Sequence, residues 1–315
     1  MLGVVIRLLP LLCFLLAPLA CPAEDLRVLC WNVQKGANAF ERGPEKALQA
    51  IRDSGANVVL MQESHDIDGD RPFLGPWLAT QLGWNSYQGT STQLCILTKF
   101  PILKTFTHTP WNGVGARIKT PDLECVVWSC WIDSESYLPD FLHANPHATP
   151  EALLACETTH SGRFKQTQAI LARLKKLHHL DASVPLLVGG DWKCPSHLDY
   201  GPNTRQLHQG LTLPLPCSLA FEQAGFMDTF RAIYPSPLKT PGETWSPLYR
   251  WEPKTRKPMP MDRIDRLYLR GPQLRPVSAI IYPKELESPR LRPAKRQFPS
   301  DHAAVLTVLR PVPQE

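Results

Sequence analysis

The chain has 315 residues, of which 43% are hydrophobic and 20% charged, and its formal net charge is +5. This composition excludes a disordered chain and allows one large α/β domain or two small ones. The mild excess of basic residues is compatible with phosphorylated substrates but is not diagnostic of nucleic acid.

Residues 1–23 have the layout of a signal peptide. A leucine-rich run with one basic residue, Arg7, ends in small residues, and it is too short and too interrupted by proline to span a membrane durably. We expect cleavage near residues 20–23 and export to the periplasm or the extracellular space. A lipid anchor on Cys21 is the less favoured alternative, because Pro18 fits a lipoprotein cleavage box poorly. After the leader, no stretch is apolar for long enough to be a transmembrane segment.

Apolar runs alternate with amphipathic segments along the first two thirds of the chain. The predicted strands there are 26–33, 57–64, 93–99, 123–132 and 184–191. The predicted helices are 44–54, 72–83, 161–177 and a short one near 219–224, with 134–160 as a loop. The chain closes with predicted strands at 263–269, 277–282 and 303–309. This order predicts two packed sheets covered by helices, within a single domain over 24–315.

The predicted strands repeatedly end in polar residues. These residues are Asn32, Gln34, Gln62, Glu63, Asp133 and Asp191. If the strand ends converge, they build one polar site on a rigid scaffold. A carboxylate beside a neutral amide, as in Glu63 and Asn32, suits a hard cation such as Mg²⁺. Glu63 alone is better explained as a solvent-facing strand end.

Two later motifs combine carboxylates with a histidine. Asp265 lies inside "RIDRLYL", and Asp301 and His302 lie in "PSDHAAV" just before the last strand. A carboxylate that fixes the tautomer of a histidine and stabilises its imidazolium is the usual arrangement of a general base. Either motif alone is weak, since an Asp-His pair before a strand is more often a surface loop.

Five short motifs occur in the order and context of one known family. They are "CWNVQ", "MQES", "GGDW", "DRIDRLYLRG" and "FPSDHAAV". With them the chain resembles the endonuclease/exonuclease/phosphatase superfamily, which has the DNase I-like fold, over residues 25–311. It looks most similar to bacterial secreted members, with counterparts of the stretches "SHLD", "TWSP" and "DRIDRLY". The resemblance implies a four-layer α/β sandwich, in which two mixed β-sheets pack together and helices flank them.

The resemblance also implies an activity and a set of roles. The implied activity is hydrolysis of a phosphoester with Mg²⁺ or Mn²⁺, in a protein that we expect to be monomeric and whose substrate includes nucleic acid among the candidates. By position, Asn32, Glu63 and Asp301 match metal-binding residues. Asp191 matches the residue that positions the attacking water, and Asp265 and His302 match the acid–histidine pair. Such a site fits the physics of metal-assisted in-line attack by water.

Two positions depart from the family pattern. Lys193 stands where the family commonly has asparagine after "GGD", and Trp131 stands where it has a histidine at the end of a strand. Lysine binds phosphate as a point charge but repels a nearby metal, and tryptophan keeps one N–H donor without the acidity of imidazolium. A histidine from 134–160, namely His143, His147 or His160, is a candidate to fill the place, although each is more simply a solvated loop residue.

Two functions therefore remain open. The first is an exported metal-dependent phosphodiesterase, nuclease or phosphatase with Lys193 and Trp131 as substrate-binding residues. The alternative is an impaired or inactive family member that binds a phosphorylated ligand. The chain has nine cysteines, and Cys13 and Cys21 belong to the leader. Cys156, Cys194 and Cys217 could include one disulfide, while no cysteine–histidine spacing resembles a zinc site.

Overall fold

The structure is a computed structural model that describes residues 24–65, 73–109, 111–181, 183–251, 254, 256–285 and 295–313. The predicted leader, its cleavage site and Cys21 lie outside these residues. Within the described part of the chain, no helix is both long and apolar enough to cross a bilayer.

Two mixed sheets of six strands each form the centre of the described protein. The strands are β1 (Leu26–Asn32), β2 (Val58–Gln62), β3 (Asn85–Tyr87), β4 (Leu94–Thr98), β5 (Ile102–His108), β6 (Gly113–Lys119), β7 (Glu124–Trp131), β8 (Leu186–Asp191), β9 (Met227–Asp228), β10 (Asp265–Arg270), β11 (Leu274–Tyr282) and β12 (Ala304–Pro311). The strand order is β11-β12-β1-β2-β4-β3 in the first sheet and β5-β6-β7-β8-β10-β9 in the second. Sequence analysis did not predict β3, β5, β6 and β9.

Helices cover the outer faces of both sheets. They are α1 (Gly43–Ser54), α2 (Leu74–Leu82), α3 (Leu138–Ala144), α4 (Pro150–Thr158), α5 (Arg163–Lys176), α6 (Pro216–Gln223) and α7 (Thr229–Ile233), with 3₁₀ turns at Lys35–Ala37 and Pro202–His208. The prediction of a loop over 134–160 was wrong, because α3 and α4 lie there. Pro139 and Pro150 each stand in the first turn of a helix, where a missing N–H costs nothing.

The hydrophobic core lies in three layers between and outside the sheets. Val28 and Leu60 of the first sheet pack against Val127, Leu187 and Leu267 of the second. On the outer face of the first sheet the buried side chains of α1 and α2 join one cluster, and those of α5 and α6 join another on the second sheet. The predicted four-layer α/β sandwich is confirmed.

Two glycines allow close approach at the end of β8. A Cβ on Gly189 would lie 2.7 Å from Cδ1 of Leu60 in the facing sheet, and one on Gly190 would lie 2.5 Å from the carbonyl oxygen of Cys130. A Cβ at Gly190 would meet the backbone of β7, so glycine is required there, whereas one at Gly189 would meet the movable end of the Leu60 side chain.

Strand registers bring the polar ends together. The parallel pair β1 and β2 places Asn32 opposite Gln62, and the parallel pair β7 and β8 places Trp131 opposite Asp191. Antiparallel β10 begins with Asp265 opposite Asp191, and antiparallel β12 begins where β1 ends. The carboxyl ends of four strands and the amino ends of two others therefore share one edge of the sandwich.

Candidate active site

A carboxylate–histidine pair spans the two sheets at this edge. Asp265 opens β10 in the second sheet, and His302 precedes β12 in the first. His302 Nδ1 donates to Asp265 Oδ2 over 2.9 Å, and both residues are buried. His302 Nε2 lies 3.8 Å from Asp191 Oδ2 and 4.0 Å from Asp301 Oδ1, beyond hydrogen-bond distance. The predicted pairing of Asp265 with His302 is thus present, and the second ring nitrogen faces the other carboxylates.

The pair is fixed by backbone hydrogen bonds. Thr244 Oγ1 accepts from the N–H groups of Ile264 (3.1 Å) and Asp265 (3.0 Å). Ser300 Oγ accepts from the N–H of His302 (3.0 Å) and donates to the carbonyl of Asn32 (2.6 Å). We call Thr244, Asp265, Asp301 and His302 the histidine side of the site. Two hydroxyls from irregular segments beside the strands thus fix the backbone of Asp265 and His302.

Asn32 and Glu63 form the floor of the site. Asn32 Nδ2 donates to Glu63 Oε1 (3.0 Å) and to Asp191 Oδ2 (2.8 Å), while the main-chain N–H of Lys35 donates to Glu63 Oε2 (3.0 Å). Glu63 has a left-handed backbone, with φ of 55°. A glutamate seldom adopts a positive φ. Residues held in such backbone conformations cluster at functional sites.

Lys193 forms an ion pair inside the site. Its Nζ lies 2.7 Å from Asp191 Oδ2 and 4.0 Å from Glu63 Oε1, and its side chain is only 15% exposed. Its backbone is left-handed, with φ of 49°, and its N–H donates to Asp191 Oδ1 over 3.1 Å. Asparagine adopts this conformation more readily than lysine, which gives a physical reason for the asparagine that the family pattern has here.

Trp131 lies beneath the same ammonium group. Lys193 Nζ is 5.7 Å from the Trp131 ring centroid, within the range of a cation–π contact. Trp131 Nε1 is buried without a hydrogen-bond partner among the described residues, so the tryptophan contributes a π face rather than a donor. We call Trp131, Asp191 and Lys193 the lysine side of the site. The two sequence departures are therefore in direct contact with each other.

The buried ionisable groups shift one another's pKa values. Burial opposes the imidazolium of His302, but the carboxylates of Asp265 and Asp191 outweigh it and raise its pKa to about 9. Burial likewise opposes the charge of Asp191, but the charge of Lys193 lowers its pKa overall. Burial raises the pKa of Asp301, and the charge of Glu63 adds to that rise.

The donor set suits a hard divalent cation. Glu63 and Asp301 offer carboxylate oxygens at the solvent side of the cluster, where their side chains are 16% and 15% exposed. The buried Asn32 adds an amide oxygen, which already accepts from the Gln34 N–H over 2.9 Å. The four carboxyl groups of the site face one ammonium group, that of Lys193, and the imidazole of His302, so acidic groups outnumber basic ones. This excess of acidic oxygen donors fits a divalent ion even with Lys193 beside them.

Other predicted polar strand ends serve the scaffold. Gln62 turns between the sheets and donates to Ser129 Oγ over 2.9 Å. Asp133 Oδ2 accepts from the N–H of Gly162 over 2.6 Å and so anchors the start of α5. The convergence considered for the polar strand ends therefore does not include these two side chains. Gln62 belongs to β2, where alternate side chains point to opposite faces.

The three histidines that were candidates to replace the family histidine lie away from the site. His143, His147 and His160 are all exposed, on α3 or in the segments around α4. None of the three makes a hydrogen bond to Asp191 or His302 within the described part of the chain. The space beside Asp191 is instead taken by Lys193 and Trp131.

Sequence analysis missed the residues that support the histidine side. Trp245 pairs through its backbone with both Asp262 and His302, and its ring centroid lies 6.4 Å from that of His302. Trp245 and Thr244 belong to the "TWSP" stretch, so the only available signal was its resemblance to a family motif. Spacing could not reveal the contact, because Thr244 reaches Asp265 across an irregular segment.

Comparison with known proteins agrees with this architecture. Residues 29–302 match the model of the Endonuclease/Exonuclease/phosphatase family. The chain is 29% identical over 293 residues to the uncharacterized protein F14F9.5 of Caenorhabditis elegans, covering 90% of each chain. It is similar in fold to truncated TDP2 of Caenorhabditis elegans, with a TM-score of 0.57, 17% identity and coverage of 91% of this chain and 97% of that chain. An AP endonuclease of Archaeoglobus fulgidus also gives a TM-score of 0.57, at 13% identity and coverage of 90% and 98%.

Proposed function

The chain belongs to the endonuclease/exonuclease/phosphatase family, and from that premise we propose that it is an exported, metal-dependent phosphoester hydrolase. The observation that carries the proposal is the buried Asp265–His302 pair at 2.9 Å, with Nε2 of His302 facing a cluster of carboxylates. The family includes nucleases and phosphatases, and its enzymes generally use divalent metals. A phosphodiester or phosphomonoester is therefore the substrate class, with nucleic acid among the candidates, and we propose that the protein acts as a monomer.

Glu63, Asp301 and Asn32 are the residues that would hold Mg²⁺ or Mn²⁺. Their oxygen atoms are the ligands that these ions prefer, and Glu63 is already oriented by Asn32 and by the Lys35 N–H. When bound, the ion would neutralise phosphate charge and lower the pKa of water.

The remaining residues would act on water and on the phosphate. Asp191 lies where a carboxylate could orient the attacking water. Protonated His302, held by Asp265, would donate from Nε2 to a phosphate oxygen as negative charge develops there. Fixed donors of this kind cost little reorganisation during the reaction, because the strands have already oriented them.

Lys193 and Trp131 would form a substrate anchor peculiar to this chain. The ammonium group is 2.7 Å from Asp191 and is supported by the Trp131 ring, so it can contact a phosphate as a point charge. In this role Lys193 replaces the amide that the family pattern has at the same position.

The Lys193–Asp191 ion pair also favours a second candidate function. Asp191 Oδ2 already accepts from Asn32 over 2.8 Å and contacts the Lys193 ammonium over 2.7 Å, so little accepting capacity remains for a water. In this alternative the protein binds a phosphorylated ligand on an impaired hydrolase scaffold.

The two candidates are separated by assaying the mature protein with Mg²⁺ or Mn²⁺, with and without EDTA. The substrates are DNA, RNA, nucleotides, phosphoinositides and a chromogenic phosphodiester. We expect turnover that EDTA abolishes and that Glu63→Gln lowers at least about 10²-fold. Glu41→Gln is the matched control, because Glu41 is an exposed acid paired with Lys295 away from the site.

Absence of turnover on every substrate, combined with phosphate-ligand binding that EDTA does not change, would overturn the hydrolase proposal and support the binding protein. Export is tested separately by fractionating cells that express the full-length chain. Recovery of an unprocessed chain in the cytoplasm would contradict export.

A further inference from the structure

A second cluster of metal-binding side chains lies behind the lysine side of the site. Glu157 of α4, Cys194 three residues after the end of β8, and Cys217 in the first turn of α6 are all buried. One ligand atom from each, two sulfurs and a carboxylate oxygen, lies within 4.8 Å of the others. Three separate elements thus contribute to one small volume.

The carboxylate of Glu157 is only half satisfied. Its Oε2 accepts from the N–H of Cys217 over 3.1 Å, whereas Oε1 is buried without a hydrogen-bond partner among the described residues. A buried carboxylate oxygen without a partner is costly and normally has a proton, a water or an ion beside it.

The surroundings favour negative ligands. Arg266 donates to the Cys194 carbonyl over 2.6 Å and lies 3.7 Å from the Cys194 sulfur. Arg163, also buried, donates to the Cys156 carbonyl over 2.7 Å beside Glu157. Both guanidinium charges act on the Glu157 carboxylate. Two buried cations therefore surround one carboxylate and two thiols.

The charge balance is suited to a divalent ion. If such an ion binds, the two thiols release their protons and become thiolates, so the net charge of the cluster is unchanged. Thiolates at about 2.3 Å from the metal are the usual ligands of structural Zn²⁺.

We propose that Cys194, Cys217 and Glu157 form a structural site for one thiolate-binding divalent cation of the zinc class. The ion joins α4 and α6 to the segment that carries Lys193, one residue before Cys194. The site differs from the candidate active site in its sulfur ligands and its complete burial. The proposal does not depend on the hydrolase function.

Direct metal analysis of the mature protein tests this proposal. Protein purified under reducing conditions is exchanged into chelator-treated buffer and supplied with Zn²⁺, and bound metal per chain is measured. We expect one tightly retained Zn²⁺ per chain, with X-ray absorption showing sulfur at about 2.3 Å. Replacing Zn²⁺ with Cd²⁺ should produce a thiolate-to-metal charge-transfer band in the ultraviolet.

Variants locate the ion. Cys217→Ser should abolish the charge-transfer band, and Glu157→Gln should weaken retention of Zn²⁺ at least about tenfold, as loss of a metal ligand or its support does. Cys125→Ser is the matched control, because Cys125 is equally buried but lies in β7 outside the cluster. Asp301→Asn, at the candidate active site, should keep both the sulfur-bound ion and the band.

Three results would overturn the proposal. They are wild-type protein that retains no Zn²⁺ after the exchange, a bound ion whose X-ray absorption shows oxygen and nitrogen ligands only, and a Cys194–Cys217 disulfide found by peptide mapping without reductant. All three can be measured on the wild-type chain, so a variant that fails to fold leaves the proposal open to refutation.

Discussion

The two sides of the candidate active site are held in different ways. On the histidine side, Thr244 and Ser300 fix Asp265 and His302 through main-chain hydrogen bonds at strand ends. On the lysine side, Lys193 is fixed by an ion pair with Asp191 and by the face of Trp131, on a left-handed backbone. By the motif resemblance, the histidine side and Asp191 keep the family pattern, whereas Trp131 and Lys193 depart from it.

The contact between Trp131 and Lys193 links the two departures from the family pattern. Had Trp131 and Lys193 been far apart, each would count as a separate loss of a family residue. Their cation–π contact of 5.7 Å makes them one unit in which each residue supports the other. The register of β7 and β8 places Trp131 opposite Asp191, two residues before Lys193, so the two positions are neighbours and a change at one alters the surroundings of the other.

The largest effect is expected on the histidine side. Asp265→Asn removes the charge that holds His302 protonated, and His302→Asn removes the donor itself. We expect each to lower kcat by about 10²–10⁴ on whichever phosphoester the wild type cleaves. Steady-state assays with Mg²⁺ measure this. Asp262→Asn is the matched control, since Asp262 lies on the same segment and pairs with Trp245 through its backbone, while its side chain contacts Tyr137 rather than His302. Equal losses in Asp262→Asn and Asp265→Asn would show that the effect is one of folding.

A smaller but more discriminating effect is expected on the lysine side. Lys193→Asn should lower kcat/KM by about 10²–10³, and a double-mutant cycle with Trp131→His should give a coupling of about 0.5–3 kcal/mol. Lys104→Asn is the control, because Lys104 also lies over an aromatic ring, that of Phe106, outside the site. A large gain of activity in the double variant would instead identify a decayed site.

The smallest effect is one of stability and tests the rigidity of the histidine side. Thr244→Val leaves the N–H groups of Ile264 and Asp265 without their acceptor, and we expect a loss of about 1–3 kcal/mol in the free energy of unfolding. Urea denaturation followed by tryptophan fluorescence measures it. Thr244→Ser keeps the hydroxyl and should stay close to wild type. An equal loss in both variants would mean that the methyl group, rather than the hydrogen bonds, supports Asp265.

Sequence patterns predicted the strands that carry the site better than the elements around it. The strands β1, β2, β8, β10 and β12 are buried and strongly apolar, so their periodicity and polar ends were visible. The exposed strand β5 and the glycine-containing β6 lack that signal. In the segment 134–160, the prolines that suggested a loop begin helices instead.

The site was predictable as a set of residues but not as a set of contacts. The order of the short motifs identified Asn32, Glu63, Asp265 and His302, because each of these residues belongs to one such motif. The contact of Lys193 with Trp131 depends on the parallel register of β7 and β8, which single-chain periodicity does not fix. The Glu157–Cys194–Cys217 cluster depends on how α4 and α6 pack against the segment that follows β8. Single-chain periodicity does not fix that packing either.

The glycine at position 189 links the interior of the sandwich to its edge. Asp265 opens β10 and His302 lies two residues before β12 in the other sheet, so the approach of the two sheets contributes to their 2.9 Å separation. Gly189 permits that approach, because a side chain there would meet Leu60 of the opposite sheet at 2.7 Å. The distance between Asp265 and His302 therefore depends on packing in the core. Selection for turnover would act on deeply buried aliphatic residues that never meet a substrate.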